Sequence, residues 1–224
     1  MALMPKFAPI VALLFLGTVL AVMLTAAVFA YGLARRQRRV MLGAGAAALL
    51  IPALYASLLL AASLKSEDLV LRPGGKKYFC EIDCHLAYSV ERVTKTKSLG
   101  QARAEGTFYV ITLKTWFDEN TISNQRPREA PLYPNPRQVY IQESSGRRTE
   151  VSRAGMRALE GMGVESTPLS RPLIPGQSYV TQLVFDLPGD ARFLRLYVGD
   201  ADPMSKILVG HEESPLHRKI WFQI

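Results

Sequence analysis

Apolar positions change their spacing once along this chain, and the change divides it. From Phe7 to Ala34, and again from Val40 to Leu64, no charged side chain interrupts the apolar run. Each run exceeds the roughly 20 residues that a helix needs to cross a bilayer. The pattern predicts two transmembrane helices, 7–34 and 40–64. A cleaved signal peptide would have a shorter apolar core and a soluble chain after it, whereas a second span follows here directly after residues 35–39. The helical hairpin is therefore expected to be retained.

Beyond residue 76 the period falls to two. The stretches "TFYVITLKTWF" (107–117), "RQVYIQES" (137–144), "SYVTQLVFDL" (178–187), "ARFLRLYVG" (191–199) and "HRKIWFQI" at the end of the chain alternate and are rich in β-branched and aromatic residues, which predicts strands. Tyr179, Leu183, Phe185 and Leu187 fall on one face, as do Leu194, Leu196 and Val198. "PGD" at 188–190 reads as the turn that pairs those two strands. Only 151–163 suits a short helix, and its glycines weaken it. Short strands separated by Pro- and Gly-rich turns predict an all-β immunoglobulin-like sandwich over 76–224, joined to the hairpin by a linker at 65–75.

Charge sets the orientation. Residues 35–39, "RRQRR", place four arginines between the spans, against a single Lys6 before the first. The positive-inside rule makes that loop cytoplasmic and puts the N-terminus and the C-terminal domain outside the cytoplasm. The net charge of +8 then belongs largely to the cytoplasmic loop, and the remainder, only slightly basic, gives no electrostatic case for nucleic acid. Neither span holds an Asp, Glu, Lys, Arg or His that could form a proton or ion path, so the membrane part reads as an anchor. The expected partner is a protein outside the cytoplasm.

"TFYVITLKTWFDEN" followed by "LIPGQSYVTQLVFDLPGDARFLRLYVGD" resembles the telokin-like, immunoglobulin-like domains of bacterial lipoproteins and membrane-anchored proteins. The resemblance covers roughly 76–224 and rests on turns and core positions. It implies a fold and an extracytoplasmic location, with little function attached. The proline-rich insertion from Asn120 to Arg137 departs from a compact version of that pattern and reads as either a binding loop or a long connection.

Enzymatic signatures are missing: there is no G-x-S-x-G, H-E-x-x-H, P-loop or G-x-G-x-x-G. "GDADP" at 199–203 lacks the other ligands of a calcium loop and reads as a turn. No catalytic residue is expected, and the chain reads as a binding or assembly module rather than an enzyme. The cysteines and histidines fall in two places, Cys80, Cys84 and His85 in "YFCEIDCH", and His211 and His217 in "GHEESPLH". By analogy with other sandwiches, first and last strands lie side by side, which would bring the two places together as a copper or zinc site. The alternative function is thus metal handling or electron transfer. Cys80-x-x-x-Cys84 also resembles the dinuclear copper loop of cytochrome oxidase subunit II, another hairpin-plus-β-domain protein. Tyr88 and Glu91 stand where that loop supplies its His and Met. Cys80-x-x-x-Cys84-His85 is one residue longer than a haem attachment signature. An oxidising exterior permits a disulfide, but on a straight strand the two cysteines would stand about 13 Å apart, so a bridge requires a turn. Metal ligands, a local disulfide and free strand thiols all remain open, and no cofactor is required.

Overall fold

The computed structural model describes residues 4–79, 85–122 and 126–224. Its contacts divide the chain into two compact units, one holding the residues up to Glu67 with Pro203–Arg218, the other Asp68–Asp202 with Lys219–Ile224. The expected boundary at 76 therefore shifts, and the segment 203–218, read as part of the β-domain, groups with the helices.

The first unit is built on α1 (Met4–Ala34) and α2 (Arg38–Leu64). Both are long and apolar enough to cross a membrane, and their large side chains, among them Leu13, Leu42, Leu49 and Leu54, are exposed. Helices that bury so little of their apolar surface in their own chain are of the kind that suits an apolar surround. The chain reverses through Arg36 in the left-handed region (φ 54°). Small residues allow the two helices to approach, the Cα of Gly32 lying where a Cβ would meet Met41 and Val40 at 3.1 Å.

The second unit is a sandwich of two sheets. Its strands are β1 (Leu69–Leu71), β2 (Lys77–Phe79), β3 (Leu86–Leu99), β4 (Ala102–Phe117), β5 (Arg137–Gln142), β6 (Arg148–Glu150), β7 (Ser178–Leu187), β8 (Arg195–Asp200) and β9 (Ile220–Gln223), with helix α3 (Arg153–Gly161) between β6 and β7. One sheet runs β1-β9-β8-β5-β6, the other β2-β3-β4-β7. Leu86, Tyr88, Ile111, Leu113, Phe185 and Leu187 of the second sheet meet Ile141, Leu196, Val198 and Phe222 of the first in one buried core.

Three expectations are corrected here. Leu69–Leu71, inside the predicted linker, is a strand paired in parallel with β9. β7 and β8 do not pair with each other; the turn at 188–190 carries the chain from one sheet to the other, so Phe185 and Leu196 meet across the core. The last strand lies beside β1, in the sheet opposite to β2 and β3, so the side-by-side placement expected for the strands bearing "YFCEIDCH" and the chain end does not hold. The physical reason is common to the last two: alternation marks an inward face but not which sheet it belongs to. The fold is mixed rather than all-β, because α3 packs Leu159 and Met156 onto Leu99, Phe108 and Val184 on the outer face of the four-stranded sheet. The proline-rich insertion is pinned by Leu132 and Leu173, both buried, which exchange backbone hydrogen bonds of 2.8 and 3.0 Å.

Candidate binding groove

Helix α3 covers one half of the outer face of the four-stranded sheet and leaves the other half open. Strand register assembles what lines it. Trp116 stands opposite Ala87 on one side and Ser178 on the other, and Lys114 stands opposite Ser89 and Val180. Small residues between a tryptophan and a lysine make a depression of about 330 Å³, closed at its ends by Gly74, Lys76, Glu91 and Gly176.

A β-bulge supplies the acidic member. The pairing jumps from Val90–Leu113 to Arg92–Thr112, leaving Glu91 as the extra residue. Bulges redirect a side chain, and here Ser89 Oγ donates to Glu91 Oε1 at 3.0 Å. At the other end the Lys76 ammonium sits 3.7 Å from the centroid of the Trp116 ring, a cation–π contact that holds the indole as one wall. Behind it the Tyr78 hydroxyl donates to Asp118 Oδ2 at 2.7 Å. Burial and that bond to the carboxylate push the Tyr78 phenol up to about 12. Burial alone would raise the Asp118 carboxyl, but the Tyr78 hydroxyl, the two Asn120 amides and the Lys76 charge outweigh it and hold Asp118 below its ordinary value. Asp118 is thus held as an anion behind the groove, with the Lys76 charge nearby.

The groove offers two ammonium groups, two serine hydroxyls, one carboxylate and an indole wall, and its lining contains no histidine or cysteine. That set has the chemistry to hydrogen-bond, pair with and stack on a ligand, and no nucleophile is paired with an imidazole in the lining. Sequence reading missed it because its members come from β3, β4, β7 and two turns. Its one visible signal is Trp116 at an outward position of an otherwise regular strand.

The sequence-derived candidates that the structure describes fall in both units. Cys80 and Cys84 lie outside the described residues. His85 lies in the β-unit at the head of β3, 4% exposed, with its ring stacked on Phe117 at 5.7 Å and Nδ1 at 2.5 Å from Thr121 Oγ1. The Thr121 hydroxyl donates to the Asp118 carbonyl, so its oxygen accepts from Nδ1–H, and a neutral His85 carries its lone pair on Nε2. His211 and His217 belong to the other unit. There His211 Nδ1 accepts the Glu213 amide at 3.1 Å, and His217 Nδ1 donates to the Arg218 carbonyl at 2.6 Å. Among the described residues, no three His, Cys, Asp or Glu side chains gather as a metal site.

No family model matches the chain, and no curated protein sequence does. Among solved structures it is similar to the secreted protein MPT63 of Mycobacterium tuberculosis, at 10% identity and a TM-score of 0.42 over 71% of this chain and 100% of that one. It is also similar to the YjhA protein of Bacillus subtilis, at 10% identity and a TM-score of 0.42 over 69% and 98%. A conserved hypothetical protein of Bacillus anthracis matches at 14% identity and a TM-score of 0.39 over 51% and 82%.

Proposed function

We propose that the chain is a membrane-anchored module whose extracytoplasmic, immunoglobulin-like β-domain holds a protein partner and catalyses no reaction. The groove on the four-stranded sheet is the docking site, and it takes an acidic side chain flanked by an apolar or planar group. One observation carries this reading: Trp116, Lys76 and Lys114 surround a depression that α3 leaves uncovered. A carboxylate entering there meets two ammonium groups against one Glu91, while its neighbour packs on the indole; aromatic and cationic side chains in such a setting are the usual anchors of an interface.

The test is site-specific photocrosslinking of the full chain in its native membrane. A photoreactive side chain at Ser178, in the groove, is expected to give a discrete protein adduct that Lys114→Glu or Trp116→Ala abolishes. One at Arg148, on the other sheet, is expected to give none. Equal adducts from both positions, or an adduct indifferent to Lys114→Glu, would remove the groove from the function.

A second reading, copper or zinc handling or electron transfer, is favoured by the fixed tautomer of His85. A ring held through Nδ1–H presents Nε2 to a metal, the arrangement that orients ligating histidines elsewhere. Cys80 and Cys84 would supply thiolates from the adjoining residues. Under this reading metal co-purifies with the full chain near neutral pH and leaves on acidification, and Cys80→Ser and His85→Ala each lower it. Purified protein without metal leaves the first reading alone.

A further inference from the structure

The segment 203–218 leaves the sandwich after β8 and returns to it at β9, and in between it joins the unit that contains the helices. Its first turn, Pro203–Ile207, does not sit beyond the end of α2. The Tyr55 hydroxyl donates to the Ile207 carbonyl at 2.7 Å. Tyr55 lies nine residues before Leu64, about 13 Å down the helix axis at 1.5 Å per residue, and helix side chains lean further toward the N-terminus. Ile207 therefore lies alongside the last third of α2. Nearer the helix end, Arg218 N donates to Ser66 Oγ at 2.8 Å, and Leu216, His217 and Arg218 face Ser63 and Leu64 across a cavity of about 380 Å³.

This depth matters because the uncharged run of α2 starts at Val40. A hydrocarbon core of about 30 Å takes roughly 20 residues and reaches about residue 60, past Tyr55. Backbone at that level needs its polar groups satisfied from within the protein, and the Tyr55 phenol does this for Ile207. This segment exposes three large apolar side chains, Met204 at 49%, Ile207 at 41% and Leu216 at 67%, beside the exposed Lys206 and Arg218, whose long side chains can reach up to the headgroups. Lys206 and Arg218 are balanced by Glu212 and Glu213, so net charge gives no reason for the placement.

We propose that 203–218 is a membrane-inserting segment that buries Met204, Ile207 and Leu216 in the outer leaflet at the hydrocarbon boundary, held at that depth by Tyr55. The inference rests on α1 and α2 crossing the membrane. It makes the ectodomain doubly attached, through the chain at 65–68 and through this segment.

The probe is the full chain reconstituted in phosphatidylcholine vesicles, with lipids brominated near the headgroup end of the acyl chain as quenchers. Leu54→Trp reports on α2, and Met204→Trp and Leu216→Trp report on the segment, each measured against the parent with Trp116 and Trp221. Met204→Trp and Leu216→Trp are expected to lose emission to within about twofold of Leu54→Trp, the depth of an interfacial segment, and to keep that loss in high salt. Quenching at Leu54→Trp with neither segment position quenched would overturn the inference and leave the membrane reading standing. Absence of quenching at all three would overturn both. Quenching that needs anionic lipid, or that salt removes, would replace apolar insertion with surface attraction and also overturn it.

Discussion

Phe185 and Leu196 are both fully buried and meet across the sandwich rather than along one sheet. Truncating either to Ala should cost ~2 to 5 kcal/mol, the range for large-to-small core changes, measured by denaturant unfolding of the full chain in detergent. A neutral outcome would contradict the core described here. Lys114→Ala, on the outer face, should leave stability nearly unchanged and act on partner binding only. Tyr78 and Asp118 set a pH window. The Tyr78 phenol is raised in the folded state, so its contribution to stability is complete below its ordinary value near 10 and is lost as pH rises through about 12. The Asp118 carboxyl is lowered, so its contribution is present above the ordinary carboxylate range and is lost as pH falls through the depressed folded value. Asp118→Asn should bring Tyr78 ionisation down towards 10, seen as tyrosinate absorbance appearing earlier than in the parent, because the phenol then donates to a neutral acceptor. Tyr78→Phe should move the acid unfolding limb to higher pH. Unchanged titrations in both variants would show that the pair does not couple in solution.

At the scale of elements, α3 is seated by two residues. Ser152 caps it by accepting the Gly155 amide at 3.1 Å, and Gly155 packs so closely on β7 that a Cβ would fall 2.3 Å from Val184 Cγ1. Ser152→Ala should cost about 1 kcal/mol. Gly155→Ala should cost ~1 to 3 kcal/mol by overpacking, and Val184→Ala should recover part of that loss; if the double variant is no better than the single one, the helix does not seat on Val184. How much of the fold could be read from sequence varies by element for physical reasons. β7 matches its expected bounds, 178–187, because one face is core and turn residues flank it. β3 runs on to Leu99 without an apolar alternation, since its outer half, "RVTKTKS", is paired with β4 but sends only Val93 to the core and its other side chains into solvent. β1 has three residues in a charged context and gains its identity only from β9, far away in sequence. The groove shares that difficulty: strand register and a bulge bring its residues together, and no local spacing records either. The cysteine–histidine cluster was conspicuous in the sequence because it is local.

For the whole molecule, the proposed orientation rests on the four arginines between α1 and α2. A reporter active only in the cytoplasm should be active when inserted at Gln37 and silent when fused after Ile224, and neutralising all four arginines should give mixed orientations. The reverse pattern would end the membrane reading. The parallel pairing of β1 with β9 has a further consequence for biosynthesis. β9 is an interior strand of its sheet, flanked by β1 and β8, and it is the last strand of that sheet in chain order. While the ribosome still encloses β9, β1 and β8 stand apart with their hydrogen-bonding edges open, and Phe222 is missing from the core. The β-domain thus completes its folding only once β9 has emerged, after the helical hairpin is made. A chain lacking β9 would carry an incomplete sheet, so the loss of this one strand is read out directly as misfolding, in a form that a protease can recognise.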